Sequence, residues 1–182
     1  GAATDNGPLR GGKGQTYEGG VRVPAFAVWP ARIPAGSVSD EMVYIGDLYP
    51  TFGHVAGADL DRFGDTLDGM DVTATLVDGA PSGRKDLALI SGPDWFWNAV
   101  YEGPWKLNRA VNTEKQSEPI VELFNLANDP NAQTNLLESE REVAARLNAK
   151  LDAWIDAAEP SAFSYGDAKG DPPAIWGQFD AP

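Results

Sequence analysis

Glycine and proline recur along the whole chain, which predicts a fold with much loop and turn. The sequence has 20 glycines and 14 prolines in 182 residues, which is above average usage but below that of low-complexity chains. Because proline ends helices and glycine favours turns, long helical bundles are disfavoured. Hydrophobic residues make up 42% of the chain, which is enough to bury the core of one compact domain or slightly more.

Charge and cysteine content narrow the classes of function. Lys and Arg number 14 against 27 Asp and Glu, a net charge of −13. Because so negative a surface repels a phosphate backbone, we expect no nucleic acid partner. The chain has no cysteine, which excludes disulfides, thiolate metal sites and a cysteine nucleophile within it. It has no run of about 18 apolar residues either, so we expect no membrane span.

The first third of the chain predicts a loop, a strand and a helix. Residues 1–20 are polar and rich in glycine, which is typical of a long loop. Apolar residues from 21 to 29 predict a buried strand that ends at Pro30. Residues 40–56 have apolar positions close to the helical period, which predicts a helix with a break before Pro50.

The middle of the chain predicts a small antiparallel sheet. Residues 57–84 form a surface connection with one helical turn around 72–76. Short β-prone runs then mark four strands, at 87–91, 96–102, 105–111 and 120–126. Because Gly103-Pro104 favours a tight reversal, the second and third strands should pair as an antiparallel hairpin.

The clearest helix of the sequence runs from 139 to 159. Its apolar positions form one stripe, made of Val143, Leu147, Leu151, Trp154, Ile155 and Ala158. Ser139 and Glu142 have the spacing of a capping box, and Pro160 ends the pattern. Residues 160–182 have no period and are expected to form an extended tail.

A nucleotide-binding loop is only weakly indicated. Gly7-x-x-x-x-Gly12-Lys13 has the spacing that begins a phosphate-binding loop. However, Gly14 follows where a hydroxyl is needed for magnesium, and Pro8 removes a backbone donor. A glycine-rich surface turn is the simpler interpretation.

Two further patterns involve single residues or pairs. Asp5 and Asn6 offer oxygen ligands to a hard cation, but calcium takes about 6 to 8 oxygens, so a second contributor would be required. His54 is the only histidine, and its position inside an apolar helical pattern indicates packing before chemistry. No histidine cluster for zinc can form.

Several short motifs occur in the order found in sulfatases of the arylsulfatase type. The most specific is Gly12-Lys13-Gly14-x-Thr16-Tyr17-Glu18-Gly19-Gly20-Val21-Arg22-Val23-Pro24. Weaker motifs surround it, namely Thr4-Asp5-Asn6-Gly7, Trp29-Pro30, Asp47-Leu48-Tyr49-Pro50-Thr51, Ala56-Gly57, Asp68-Gly69, Trp105-Lys106-Leu107, Glu122-Leu123-Phe124-Asn125-Leu126, Asp129-Pro130 and Asn135-Leu136. Over residues 4–156 the chain therefore resembles the C-terminal portion of a sulfatase.

The resemblance implies a fold and a reaction. The fold is α/β, with the end of the large mixed-sheet sulfatase domain followed by a small α+β domain that has a four-stranded antiparallel sheet and a C-terminal helix. The expected parts are 1–60 for the end of the catalytic domain, 61–84 for a connecting stretch, 85–159 for the small domain and 160–182 for the tail. The reaction is hydrolysis of a sulfate ester. The implied partners are a sulfated small molecule or sulfated glycan and the missing N-terminal half of the enzyme, and typical members are periplasmic or secreted.

The resemblance also implies roles for individual residues. In this family an Asp-Asn pair completes a divalent-cation site, usually calcium, so Asp5 and Asn6 are implied metal ligands in a site that this chain leaves incomplete. The lysine of the glycine-rich motif contacts the sulfate, which implies that role for Lys13. Positive charge on a glycine-rich loop suits a transferring sulfate group. Glu18 and Arg22 are expected to form a structural pair that holds the loop.

The nucleophile of the family has no counterpart in this chain. Sulfatases use a formylglycine made from Cys or Ser in the pattern Cys/Ser-x-Pro-Ser/Ala-x-Arg. Gly79-Ala80-Pro81-Ser82-Gly83-Arg84 has this spacing but begins with a residue that has no side chain to oxidise, so we interpret it as a chance turn. The formylglycine, two cation ligands and the catalytic histidines are expected outside this chain, and the chain alone should be inactive.

Two other functions stay open from the sequence. The chain could be a non-catalytic carbohydrate-binding or interaction module, in which case Trp95, Trp97 and Trp105 would form an exposed platform. It could also bind a nucleotide, in which case residues 7–13 should join a strand to a helix N-terminus. The exposure of the tryptophans and the elements around residues 7–13 discriminate between these functions.

Overall fold

The computed structural model describes residues 5–61, 67–91, 95–112 and 118–157. The chain divides into two compact units. One consists of Gly1–Val21 together with Ala88–Pro182, and the other is Arg22–Leu87. The domain boundaries expected at residues 60 and 84 stay predictions.

Four antiparallel strands form the sheet of the protein. They are β1 (Asp86–Ser91), β2 (Trp95–Glu102), β3 (Trp105–Asn112) and β4 (Ile120–Asn125), and they lie in that order. Strands β2 and β3 form a hairpin in which Glu102 lies opposite Trp105. Gly103 takes the positive φ of 55° that the first position of such a turn requires, and Pro104 can follow it. The predicted strands and hairpin are confirmed, with each strand end within one residue of its expected place.

The apolar face of the sheet packs against a C-terminal helix, α4 (Arg141–Ala157). The core consists of fully or largely buried side chains from both layers, namely Val100, Leu107, Leu123, Ala144, Leu147 and Leu151. Leu147 and Leu151 are both 0% exposed, which confirms the predicted stripe, whereas Trp154 is 44% exposed. Among the residues that the structure describes, no helix is both long and apolar enough to cross a bilayer.

The start of α4 differs from its prediction. The helix begins at Arg141 instead of Ser139. The hydroxyl of Ser139 donates to the carbonyl of Leu136 at 3.2 Å, so it serves the preceding turn and not the predicted capping box. The predicted end of the helix, beyond Ala157, and the tail at 160–182 lie outside the described residues.

The opposite face of the sheet is also buried, and it carries polar side chains beside an apolar cluster around Phe124. Because side chains alternate along a strand, Lys106 and Asn108 of β3 share one face, while Leu107 points to the core. Lys106 is 0% exposed and Asn108 is 1% exposed. The residues that cover this face come from the N-terminal segment, which ends in one helical turn, α1 (Glu18–Val21).

The unit Arg22–Leu87 is organised around a buried aspartate. Its described helices are a 3₁₀ turn (Ile45–Asp47), α2 (Leu48–Val55) and α3 (Thr73–Asp78). The carboxylate of Asp47, 0% exposed, accepts the backbone N–H of Tyr44 at 2.8 Å and that of Met70 at 2.9 Å. Arg84 completes this set with an ion pair to the same carboxylate. One buried charge thus joins three segments of this unit.

Two helix predictions in this unit meet different outcomes. The helical turn expected around 72–76 is confirmed as α3. The helix expected at 40–56 begins only at Ile45 and continues through Pro50 without a break there. Pro50 lies in the first turn of α2, where a backbone N–H has no partner within the helix, so proline is tolerated.

The strand predicted at 21–29 is not formed. The described part of the chain gives this segment no strand partner. Its apolar side chains are exposed, at 75% for Val23, 93% for Phe26 and 79% for Val28. A buried strand needs a neighbouring strand for its backbone groups and a layer on each face. The prediction of a buried strand at 21–29 is therefore wrong.

Candidate functional site

The glycine-rich motif folds into a closed loop between Arg10 and Gly19. The backbone N–H of Gly19 donates to the carbonyl of Arg10 at 2.8 Å, which closes the loop. At its tip, the N–H of Gln15 donates to the carbonyl of Gly12 at 3.0 Å, and the side-chain oxygen of Gln15 accepts the N–H of Gly12 at 3.1 Å. Lys13 lies inside this tight turn and is exposed. The loop therefore presents a cation at its tip.

The paired glycines at 19 and 20 allow the two arms of the loop to meet. A Cβ atom on Gly19 would lie 2.5 Å from the carbonyl oxygen of Gly11. A Cβ atom on Gly20 would lie 2.1 Å from the carbonyl oxygen of Gln15 and 2.5 Å from that of Gly12. These neighbours are backbone atoms that cannot move aside singly, so a larger residue at either position would force the arms apart.

Asp5 and Asn6 lie at the start of the same segment. The amide nitrogen of Asn6 donates to the carbonyl of Gly11 at 3.0 Å, which places this side chain beside the arm that leads to Lys13. One carboxylate oxygen of Asp5 accepts the N–H of Gly7 at 2.9 Å. The structure thus brings Asn6 to the base of the loop that presents Lys13.

The pair fits a hard cation in kind but not in number. Carboxylate and amide oxygens are the donors that calcium prefers, and calcium takes about 6 to 8 of them. Within residues 5–61, 67–91, 95–112 and 118–157, no three His, Asp or Glu residues gather closely enough to hold a metal ion. Asp5 and Asn6 could therefore form one side of a cation site whose other ligands lie elsewhere.

Glu18 fixes the far end of the loop by a buried ion pair with Lys106 on the sheet. Its Oε1 accepts from Nζ of Lys106 at 2.7 Å and from the hydroxyl of Tyr101 at 2.7 Å. The ammonium group lies 4.5 Å from the centroid of the Tyr101 ring. Burial lowers the pKa of Lys106, and the charge of Glu18 opposes that shift. Glu18 was expected to pair with Arg22 and hold the loop. It does hold the loop, but its partners are Lys106 and Tyr101, which the sequence did not suggest.

Tyr17 forms a second contact between the loop and the sheet. Its hydroxyl donates to the carboxylate of Glu122 and accepts from the guanidinium of Arg10 at 3.0 Å. Arg10 also lies 4.1 Å from the Tyr17 ring centroid and pairs with Glu122 at 3.1 Å. Burial and the hydrogen-bonded Glu122 raise the pKa of Tyr17. The Trp97 ring packs against Tyr17 edge-on at 5.2 Å.

The tryptophans do not support an exposed sugar platform. Trp97 packs on Tyr17, and Trp105 is partly buried against the apolar core. The side chain of Trp95 lies outside the described residues. Two of the three rings therefore serve packing.

The nucleotide-loop interpretation also lacks its context. The described residues from 5 to 12 contain no strand, and α1 begins only at Glu18, beyond the turn that holds Lys13. A phosphate-binding loop needs a strand before it and a helix N-terminus directly after it.

His54 and residues of the segment 79–84 have local roles in the fold. The prediction that His54 packs in a core was wrong, because its side chain is 63% exposed and its Nδ1 lies 3.3 Å from the carboxylate of Asp71. Gly79 ends α3 in the left-handed region, with φ of 65°. Arg84 is occupied by the ion pair with Asp47.

Comparison with known sequences identifies relatives of this chain. No protein-family model matches it. Arylsulfatase A of Bos taurus is 34% identical over 194 aligned residues, which cover 93% of this chain and 38% of that protein. N-acetylgalactosamine-6-sulfatase of Canis lupus familiaris is 43% identical over 151 residues, which cover 69% of this chain and 28% of that protein. The chain spans well under half the length of the relatives it matches.

Comparison with solved structures also finds a longer relative. Ps i-CgsB in complex with k-i-k-neocarrahexaose superposes with a TM-score of 0.73 at 27% identity, covering 89% of this chain and 35% of that chain. Most of this chain thus matches about a third of a longer protein. Since sequences of arylsulfatase type align with nearly all of it, the chain belongs to the sulfatase family, and its 38% coverage is consistent with a C-terminal portion of such an enzyme.

Proposed function

We propose that this chain is the C-terminal part of a sulfatase that hydrolyses sulfate esters, in which Lys13 contacts the sulfate and Asp5 and Asn6 help to hold a divalent cation. The main support is the closed glycine loop, which presents Lys13 at an exposed tip while Asn6 is bonded to its base at Gly11. The family relationship supplies the reaction class.

The chemical role of Lys13 follows from the charge of the reacting group. A sulfate ester has anionic oxygens, and negative charge on them must be stabilised as the ester bond breaks. Lys13 supplies positive charge from a backbone that the Gly19 to Arg10 hydrogen bond holds closed, so little more than its own side chain must become ordered. Packing at this exposed position is slight, which favours an electrostatic role over a structural one.

Asp5 and Asn6 would contribute oxygen ligands to the cation. A calcium ion held there, with further ligands from outside this chain, would act as a Lewis acid on a sulfate oxygen. The formylglycine nucleophile would also come from outside this chain. The active site would therefore be divided between this chain and the rest of the enzyme, with this part supplying a cation-binding side chain pair and a sulfate-binding lysine.

A sulfated glycan is the substrate class that two of the relatives support. One relative is by name an N-acetylgalactosamine-6-sulfatase, and one solved relative is in complex with k-i-k-neocarrahexaose. Both names refer to sugars, which supports a sulfated sugar as the natural substrate of this chain's enzyme. A chromogenic aryl sulfate is a convenient probe because its hydrolysis reports the same bond cleavage.

Calcium dependence of turnover tests the proposal. We predict that Asp5→Ala in the full-length sulfatase raises the calcium concentration needed for half-maximal aryl sulfate hydrolysis by at least about tenfold, since a lost ligand weakens the site. Asp59→Ala is the matched control, because Asp59 is exposed in the other unit. The purified 182-residue chain should bind calcium weakly and turn over no aryl sulfate. Unchanged calcium dependence in Asp5→Ala would contradict the ligand assignment, and metal-dependent turnover by the chain alone would overturn the divided site.

A further inference from the structure

Three consecutive residues of the glycine loop contact three strands of the sheet. Thr16 lies within 3.4 Å of Asn108 on β3, Tyr17 bonds Glu122 on β4, and Glu18 bonds Lys106 on β3 and Tyr101 on β2. The contact between Glu18 and Lys106 is an ion pair, and it is more deeply buried than the ion pair between Arg10 and Glu122. The side chains of Glu18 and Lys106 are 10% and 1% exposed.

Burial makes this ion pair hard to separate. A charged side chain in the interior costs several kcal/mol unless an opposite charge and hydrogen bonds compensate it. The buried charge of Lys106 is therefore compensated by Glu18. If Glu18 moved away, the ammonium group would stay buried without an opposite charge. The pair holds α1 in one place on the sheet.

The backbone of the loop transmits this constraint to Lys13. Directly after Glu18, the N–H of Gly19 donates to the carbonyl of Arg10, and Gly20 packs against the carbonyl oxygens of Gly12 and Gln15. Gly12 and Gln15 form the turn that contains Lys13. A shift of Glu18 would therefore move both glycines and open the turn.

We propose that the buried Glu18–Lys106 pair positions Lys13 for its contact with sulfate, so that the C-terminal sheet takes part in catalysis without touching the substrate. The proposal rests on the proposed function of Lys13. Glu18 and Lys106 are positioning residues, because they act through the loop backbone. The buried lysine of this face then has a purpose that an apolar side chain could not serve, since a directional ion pair fixes one loop geometry whereas apolar contacts alone would allow the loop to slide.

Hydrogen exchange of the 182-residue chain tests the structural half of the proposal. Glu18→Gln should accelerate exchange of the hydrogen-bonded amides of Gly12 and Gln15 by at least about tenfold, while the amides of α4 keep their protection. Glu102→Gln is the matched control, because Glu102 lies in the same sheet and pairs with Arg146 and Lys150 on the side of α4. It should leave loop exchange unchanged.

A double variant keeps the test decisive if the single variant does not fold. Glu18→Gln with Lys106→Met removes both charges and leaves none buried without a partner, so the sheet should remain folded. We expect fast loop exchange with protected α4 amides in this variant. Loop exchange equal to that of the unaltered chain would overturn the proposal.

Kinetics of the full-length sulfatase test the functional half. The double variant should lower kcat/KM for an aryl sulfate by at least about tenfold when Lys13 is present, because a displaced catalytic group loses its alignment. In a Lys13→Ala background the same double variant should cause no further loss, since it acts through Lys13. Equal losses in both backgrounds would mean a general structural role and would overturn positioning while leaving the sulfatase function intact. Absence of any sulfatase activity in the unaltered enzyme would instead refute the proposed function, and loop exchange would still decide whether the pair fixes the loop.

Discussion

Tyr17 joins the loop to the sheet through a hydroxyl group that stays protonated in the fold. The hydroxyl is buried, donates to Glu122 and faces the guanidinium of Arg10. Burial and Glu122 raise its pKa above the ordinary value of 10.0, while Arg10 acts in the opposite direction. Above that pH, the folded protein retains a proton that the unfolded chain loses. The stabilisation from this group is therefore fully present below about pH 10 and is lost as the pH rises further.

Replacing Tyr17 by Phe should remove this pH dependence. At pH 8 we expect Tyr17→Phe to lower the free energy of unfolding by about 0.5–1.5 kcal/mol, the usual contribution of a hydrogen bond. Above about pH 10 the difference between the two proteins should shrink, because only the unaltered protein has this proton to lose. Urea unfolding at intervals between pH 8 and pH 11 measures it. A difference that stays constant over this range would contradict the raised pKa.

The residues of the site differ in how far a single sequence reveals them. Asp5, Asn6 and Lys13 occur in short contiguous motifs, so the sequence alone indicates them as candidates. Lys106 could have been placed next to Tyr101, because the Gly103 turn fixes the register that sets them opposite each other. Its partner Glu18 lies 88 residues away in the chain, and no local pattern links two positions so distant.

Helix α4 provides the core of the small sheet, and its buried leucines should dominate stability. We expect Leu147→Ala or Leu151→Ala to lower the free energy of unfolding by about 2–5 kcal/mol, because each side chain is 0% exposed and would leave a cavity. Asp156→Ala, on an exposed position of the same helix, should change it by no more than about 0.5 kcal/mol. Chemical denaturation of the three variants gives these values. A loss for the leucines as small as for Asp156 would mean that α4 does not cover the sheet.

Elements defined by local signals were predicted well, and elements that depend on distant partners were not. The hairpin of β2 and β3 follows from its own turn residues, and α4 from its own apolar stripe. The strand expected at 21–29 needed neighbours that the described residues do not supply, so the same apolar pattern gave an exposed segment. The helix expected from 40 begins only at Ile45, because Tyr44 is held by its N–H bond to Asp47 in an extended conformation with ψ of 150°.

At the scale of the whole molecule, the unit Arg22–Leu87 exposes much apolar surface. Phe26 is 93% exposed, Val38 88% and Ile45 75%. Val23 and Val28, on either side of Phe26 in the chain, are also exposed, and apolar side chains exposed together promote association. The sulfatases that this chain matches are longer, which is consistent with cover from the rest of such an enzyme.

The isolated chain should therefore associate with itself. We expect the mean mass measured by static light scattering to rise with concentration. Phe26→Ser should reduce this rise, because it removes the most exposed of these apolar side chains. Trp154→Ser is a control, since Trp154 is 44% exposed on α4 in the other unit. A monomeric mass at all concentrations would argue against a surface that needs cover.

Turnover by Lys13→Ala in the full-length sulfatase decides whether the glycine loop is the sulfate-binding element. We predict that this variant hydrolyses an aryl sulfate at least about 100-fold more slowly than the unaltered enzyme, as for loss of an electrostatic group in the transition state. Its free energy of unfolding should change by no more than about 0.5 kcal/mol, because Lys13 is exposed. Lys85→Ala, an exposed lysine of the other unit, should turn over normally. Near-normal hydrolysis by Lys13→Ala would remove the loop from the active site and contradict the proposed function of this chain.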